Sequence, residues 1–541
     1  MPWRDGIEWR LSALHWSRAG LAAFVRNEVP FVVNNSGRLS EDAAALLYQA
    51  CLTSARPEGR ILVVEVGAGL GLFARYLLDA FKAICEKERR PFYERLLLVV
   101  TDSSRITVEQ WRDAGLFDAH REHVVLATCD ACDPTSIRPL DPDGTPPFDL
   151  ADLKAVFCNY ILDVLPAAIA RRVGDRFEEL YVRTVLTNDR DLLAQQTTLT
   201  HQQICALAAS EKDDDRAQLL PLLGLFDMET DFREVAAEAR PGVEEAFALD
   251  PTAERLLVNF GALQAVRAWT ARLGDGGFLL LNDYGGSGGI GQDAAEPALV
   301  PQRFGATMAF GLSFSQIERA LRTHGRRVDA GEGDERRAVH TRLVTKGPLP
   351  ELQAAFRGRF SFEADQHAEL PMEDARTHTT AGRKDEALGS YRLALDRNPR
   401  DWQLIGEIAE LVGLELQDYP AGAELARSAL ALNPWFSPWL FNVLGDCLFC
   451  QGQFADAHRA YLDAARVDPN DPRANLSLAH TLARSGELSE ALSAVSRGLV
   501  NDTKGHFRLR LVDKQAQILD ALTARTAGDR ERMQQRLDRL R

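Results

Sequence analysis

The chain has 541 residues, too many for one ordinary domain, so two or three are expected. Apolar residues make up 45% and charged residues 26%, the mix of a soluble globular protein with a large core. The net charge of −15 and the lack of a long Lys/Arg block argue against nucleic acid or an anionic membrane as the main partner. They leave room for a basic substrate drawn in electrostatically.

The start, MPWRDGIEWR, has no apolar signal-peptide core, and apolar runs such as 96–100 are too short to span a bilayer. The eight Cys are scattered, as expected of reduced thiols in a cytoplasmic protein. Two CxxC pairs, Cys129/Cys132 and Cys447/Cys450, lie far apart with no second pair near either. No metal site is expected from them.

Residues 1–56 read as an N-terminal helical segment, with Ser40 ahead of Glu41 and Asp42 as a helix start. The apolar run 61–66 then meets Gly67-Ala68-Gly69-Leu70-Gly71, and an amphipathic helix follows over 72–87. Further strands are predicted at 96–101, 124–128, 155–158, 278–282 and 340–345, with helical patterns between them. That alternation predicts an α/β fold over 57–350: a Rossmann-like, doubly wound parallel sheet covered on both faces. Between 166 and 274 no clear strand is visible, and Asp213-Asp214-Asp215 reads as a loop. The expectation is a helical insertion over about 167–272, above the carboxyl edge of the sheet, where ligands bind.

From about 368 the sequence repeats. Pro399, Pro434 and Pro469 are each thirty-five apart, as are Ala394, Ala429 and Ala464, and Tyr391, Ala426 and Tyr461. A fourth copy follows one residue short, with Gly452 returning as Gly486, Ala457 as Ala491 and Leu444 as Leu478. This period is that of tetratricopeptide (TPR) helix pairs, expected over 366–503, with 504–541 as a capping helix.

The chemistry centres on Glu65, Gly67, Ala68, Gly69 and Gly71. Glycines suit a turn against which a bulky ligand lies. The spacing is G-x-G-x-G with an acid two residues before the first glycine, similar to the E/DxGxGxG signature of class I S-adenosylmethionine-dependent methyltransferases. The resemblance implies that this loop holds the methionine and ribose parts of S-adenosylmethionine. It also implies an acid after the second strand for the ribose hydroxyls, met by Asp102 with Ser103 beside it. A polar residue after the third strand, near the adenine amino group, is met by Asp130 and Ala131.

After the fourth strand, Asn159-Tyr160-Ile161-Leu162-Asp163-Val164-Leu165-Pro166 resembles the N-E-x-x-D-A-L-P motif of the MidA-like family, which includes methyltransferases acting on protein arginine. Leu280-Leu281-Asn282-Asp283-Tyr284-Gly285 is similar to that family's D-Y-G after strand five, and 304–314 is a weaker match. The likeness covers roughly 60–345. It implies Asn159 beside the cofactor and Tyr160, Asp163, Asp283 and Tyr284 as catalytic candidates. Two departures stand out: the family's G-P-G-R-G loop is Gly67-Ala68-Gly69-Leu70-Gly71 here, and Tyr160 replaces its Glu. A guanidinium needs carboxylates to hold it, so the second departure bears on arginine as acceptor.

By resemblance to TPR arrays, the first helix of each unit lines a groove, making Asn442, Asp446, Arg473, His480 and Arg484 candidate contacts. The expected function is methyl transfer to a protein or peptide recruited by that groove, with arginine as the leading acceptor. Two alternatives stay open. One is a scaffold that keeps the fold without catalysis. The other is a small-molecule methyltransferase whose repeats pair two copies into a dimer.

Overall fold

The computed structural model describes all residues except 26–36, 54–58, 147, 287–301, 305, 338, 434–436 and 541. The chain divides into two compact units, Met1–His367 and Ala368–Arg541.

The first unit is built on a mixed sheet. Its opening strands are β1 (Ile61–Val66), β2 (Leu96–Asp102), β3 (Val124–Asp130), β4 (Asp133–Pro139) and β5 (Leu153–Asn159). Next come β6 (Ala168–Val173), β7 (Arg176–Leu186), β8 (Phe226–Glu234), β9 (Arg255–Val258) and β10 (Leu273–Gly286). After β11 (Gln302–Phe304), β12 (Thr307–Ala309) and β13 (Leu312–Ser313), the unit ends with β14 (Arg327–Ala330) and β15 (Val339–Thr345).

The main sheet runs β14-β15-β10-β5-β1-β2-β3-β4. Its centre, β3-β2-β1-β5-β10, is parallel. The chain winds outward from β1 to β3, then returns to β5 and β10 on the other side. This puts the topological switch point between β1 and β5, where a doubly wound sheet opens a crevice at its carboxyl edge. The sheet is not purely parallel as expected: β4, β14 and β15 are all antiparallel to their neighbours.

Period-two alternation divides the two faces. Leu62, Val64 and Val66 join Trp269 and Phe314 in one core layer. On the opposite face Phe73, Phe157 and Phe278 pack edge to face, with centroids 5.3 and 5.9 Å apart. The helix Leu72–Lys87 covers that face with an apolar stripe including Phe73, Leu77 and Phe81.

The insertion is not simply helical. It holds a second, fully antiparallel sheet in the order β8-β7-β6-β9, together with helices such as His201–Ala209 and Arg240–Leu249. Its strands were hidden because one face is solvated. In β8, Phe-Asp-Met-Glu-Thr-Asp-Phe-Arg-Glu places a charge at nearly every second position, so no apolar run forms. Asp213, Asp214 and Asp215 lie not in a loop but in the first turn of the short helix Asp213–Ala217, where acids oppose the positive end of the helix dipole. Ser40 is also not a helix start. The helix Arg38–Leu52 begins after Gly37, and the buried Ser40 hydroxyl donates to the Phe73 carbonyl at 3.0 Å.

Among the described residues the second unit is a run of four helix pairs, the first of whose helices begins at Phe362, ahead of the unit boundary. They are Phe362–Thr380 with Lys384–Arg397, Trp402–Glu410 with Tyr419–Leu432, Pro438–Cys450 with Phe454–Val467, and Pro472–Ser485 with Leu488–Asn501. The final helix, Arg508–Leu540, follows. Periodic alanines fall where helices cross: Ala394, Ala429, Ala457, Ala464 and Ala491 are all buried. Gly452 and Gly486 turn the chain between partners at φ of 78° and 86°, a conformation open to glycine at little cost. Pro399 and Pro469 stand two residues past the helices ending at Arg397 and Val467. Pro434 lies outside the described residues.

These crossings leave no space for a longer side chain. Ala464→Leu should lower the stability of the repeat unit by roughly 1–3 kcal/mol, the usual cost of overpacking. Urea unfolding followed by far-UV circular dichroism checks this; a midpoint equal to the parent's would contradict it.

Candidate cofactor and transfer site

The loop after β1 makes a tight turn through three left-handed glycines: Gly67 at φ 68°, Gly69 at 52° and Gly71 at 72°. Side chains strain at each of these angles. A Cβ would also meet protein. At Gly67 it would stand 2.7 Å from the Ile161 side chain, at Gly69 3.0 Å from the Phe24 ring, and at Gly71 2.8 Å from Leu116. The glycines therefore let neighbouring side chains close on the loop. The Ala68 N–H donates to the Thr101 carbonyl at 2.8 Å, tying the turn to β2.

Asp102 ends β2 and clamps the same loop. Its Oδ2 accepts the Gly69 N–H at 3.1 Å and its Oδ1 the Ser104 N–H at 2.9 Å. Burial pushes its carboxyl up to about 6 against the pull of these amides. Ser103 beside it is exposed. The N-terminal helix Ile7–Ala19 reaches this corner too, where the Ser104 hydroxyl donates to the Ser17 carbonyl at 3.3 Å.

Asp130 and Ala131 form the turn between β3 and β4. The exposed Asp130 accepts the Cys132 N–H at 2.8 Å, and the Ala131 carbonyl accepts the Trp269 indole N–H at 2.8 Å.

At the switch point lie buried polar groups. Among the described residues, Glu65 Oε2, both amide atoms of Asn159 and the Tyr160 hydroxyl find no well-aligned hydrogen-bond partner, although Asn159 faces Glu65 and Asn282 faces Tyr160. Burial, with Asp102 nearby, holds Glu65 well above the ordinary glutamate range. Tyr160 takes the left-handed conformation at φ 53°, and its N–H donates to the Asn282 carbonyl at 2.8 Å. A bulky residue in that region stores strain, as residues at functional sites often do. Its ring lies 5.3 Å from that of Tyr284, tilted by 51°.

Asp283 is fully buried and its carboxylate is occupied by backbone. Oδ2 accepts the Leu162 and Asp163 N–H groups at 2.8 and 3.3 Å, and Oδ1 the Tyr284 N–H at 2.8 Å. The strand end thereby holds the loop after β5. Asp163 sits beside it. Burial raises Asp163 to about 7, and burial with the Asp163 charge raises Asp283 well above the carboxylate range. Two carboxyls in one dry site cannot both ionise cheaply. The Phe310 N–H donates to the Asp163 carbonyl at 2.8 Å, which brings in the segment between β12 and β13.

The sequence therefore brings Glu65, Gly67, Ala68, Gly69, Gly71, Asp102 and Asn159 to one edge, with Tyr160, Asp163, Asp283 and Tyr284 next to them. It gave no sign that the Asp283 carboxylate would be filled by amides. Of the two side chains that close on the glycine loop, Phe24 carries no motif and Ile161 stands at an unspecified position of the Asn159–Pro166 motif.

In the second unit, Arg473 bridges Glu410 (Nη1 to Oε1, 3.2 Å) and Asp446 (Nη2 to Oδ2, 3.0 Å). The Tyr461 hydroxyl donates to Asp446 at 2.7 Å and the Trp439 indole to Glu410 at 2.9 Å. Asn442 is fully buried, with neither amide atom partnered among the described residues. Burial beside Lys514 and Arg510 lowers His480 to about 4. The Arg484 guanidinium lies 3.7 Å over the Phe454 ring.

No family model and no curated protein matches this chain. Among solved structures, it is similar to a COG1565 superfamily member and inferred methyl transferase from Burkholderia thailandensis bound to S-adenosyl-homocysteine. That match has 14% identity and a TM-score of 0.41, and covers 66% of this chain and 90% of the other. The repeats are similar to the MamA protein, at 15% identity and TM-score 0.25, covering 29% of this chain and 90% of the other. They are also similar to the Yersinia enterocolitica type III secretion chaperone SycD in complex with a peptide of the translocator YopD. Identity there is 21% and TM-score 0.21, with 23% of this chain and 93% of the other covered.

The Asp163–Asp283 pair has a consequence for stability. Unfolded, each carboxyl ionises near the ordinary aspartate value of 3.8; folded, each holds its proton to higher pH. The folded state thus binds more protons between those limits, and stability falls as pH rises toward about 7. Asp163→Asn should remove much of that loss, on the order of a few kcal/mol. Melting temperatures from about pH 5 to 8 should converge on the parent's at the acid end and exceed it at the basic end. Parallel curves would reject the raised Asp163 carboxyl.

Proposed function

We propose that the first unit transfers a methyl group from S-adenosylmethionine to a protein or peptide, with an arginine side chain as the leading acceptor. The proposal rests most on the buried cluster without well-aligned partners at the switch point: Glu65 Oε2 and both amide atoms of Asn159, beside a glycine turn clamped by Asp102. Buried polar groups are normally satisfied, and groups left open in a crevice point to a bound ligand. An amino-acid head group fits this set. Glu65 and the Asn159 carbonyl can accept from an ammonium, and the Asn159 N–H₂ can donate to a carboxylate. Asp102 retains lone pairs for a diol, since a carboxylate has about four acceptor positions and the Gly69, Ser104 and Ser103 amides do not fill them.

Bound there, S-adenosylmethionine supplies an already activated methyl on a sulfonium. The protein's task is then to align an incoming nucleophile and exclude water. Tyr160 and Tyr284 form the wall on which that nucleophile rests. Asp163 is the carboxyl available to a cationic acceptor, because the Asp283 oxygens already take three amides. A guanidinium beside Asp163 would favour its ionised form and receive a charge-assisted hydrogen bond. The repeat unit supplies recruitment, through the surface carrying Glu410, Asp446 and Arg473.

Calorimetric titration with S-adenosylhomocysteine should give a 1:1 isotherm. Asp102→Ala should weaken binding tenfold or more, about 1.4 kcal/mol. No heat of binding would end the cofactor reading. Radiolabelled S-adenosylmethionine added to lysate lacking this protein should then label a discrete protein or peptide band, and Asp163→Ala should abolish the label. Label confined to small molecules would replace the proposed acceptor class. Binding without transfer would favour a scaffold.

A further inference from the structure

Across the sheet from Asp283 stands His340, its direct partner in the β10–β15 register. The ring is 3% exposed and lies between two acceptors. Nδ1 is 2.7 Å from Asp334 Oδ2, and Nε2 is 2.9 Å from the Gly285 carbonyl oxygen. A neutral imidazole carries one N–H. Whichever nitrogen held it, the other would turn a lone pair on an oxygen at hydrogen-bond distance. Only the imidazolium satisfies both contacts.

The surrounding charges agree. Asp334 Oδ2 also pairs with Arg342 Nη1 at 2.7 Å, and Arg342 Nε with Glu318 Oε1 at 2.6 Å. The Arg342 guanidinium lies 4.9 Å over the Phe314 ring, and that ring packs 5.2 Å from His340. Glu318 also pairs with the half-exposed Arg322 at 2.8 Å, so the anion that faces the ring is Asp334, shared between His340 and Arg342.

The bond to Gly285 matters because of what precedes it in the chain. Asp283 and Tyr284 are the last side chains before Gly285-Gly286 on β10. On one side, Gly285 packs so closely on β13 that a Cβ would come within 2.3 Å of the Leu312 carbonyl oxygen. On the other, its carbonyl is fixed by His340.

We infer that His340 is a positioning residue for the transfer site. Its buried imidazolium pins the outgoing end of β10 and so sets where Asp283 and Tyr284 stand. The inference rests on reading this edge as the transfer site, but its test needs neither cofactor nor substrate. The titratable and charged groups facing the ring are Asp334 and Arg342 and, through Arg342, Glu318 with its second partner Arg322. Asp283, with Asp163 and Tyr284 beyond it, lies across the strand pair.

The test is nitrogen-15 NMR of the full chain with labelled histidine, under the conditions in which the protein is assayed. The His340 signal, assigned by its loss in His340→Gln, should show a proton on both ring nitrogens. In His340→Gln the Tyr284 and Gly285 amide signals should move from their positions in the parent chain. A ring with a single proton, or amide signals unmoved in His340→Gln, would overturn the assignment. Should His340→Gln not fold, the proton count on the ring of the parent chain decides alone. A failed cofactor titration would leave this result standing.

Discussion

Much of the first unit turns on the burial of one carboxyl group. Asp283 has no exposed surface, and both its oxygens are taken by backbone amides, two of them from the loop after β5. Such a group is tolerable only where the surrounding dipoles replace water completely. The loop can hold Ile161 against Gly67 only while those amides are engaged, so the glycine turn, the Tyr160 kink and the β10 terminus form one unit. Removing the carboxyl group would leave Leu162 and Asp163 with unpaired N–H groups in an apolar setting.

The parts of this fold that could be read from residues alone share a physical trait. Four of the predicted strands of the main sheet, β1, β2, β5 and β10, are buried on both faces along most of their length, so their largely apolar runs are easy to see. The repeats were visible because small residues must recur wherever helices cross. The insertion sheet was not, because β7 and β8 each show one face to solvent and their polar residues mimic a helix or loop. The edge strands β4 and β14 are half-exposed and have the same weakness.

The site was legible in a similarly partial way. Glycine spacing and the acid ending β2 follow from local chain geometry, which sequence encodes directly. What fills each space does not. Phe24 reaches Gly69 from a segment remote in sequence, and no local pattern announces the meeting. Nor does a motif say whether a carboxylate faces solvent, a substrate or three amides; Asp163 and Asp283 look alike in sequence and differ in this respect. Tyr160 is a further case. Its hydroxyl is buried without a well-aligned partner and its backbone is strained, both results of packing at long range.

In the second unit, Arg473 belongs to the fourth helix pair, while its partners Glu410 and Asp446 belong to the second and third. Stacked repeats are usually coupled only to immediate neighbours, so that an array can fray one module at a time from its ends. Here a single guanidinium reaches past the adjacent module to the one beyond. Peeling away the fourth pair would strand charges on two others at once. Between Glu410 and Arg473 the array is stapled across its rungs, and under load this stretch would yield as a block rather than rung by rung.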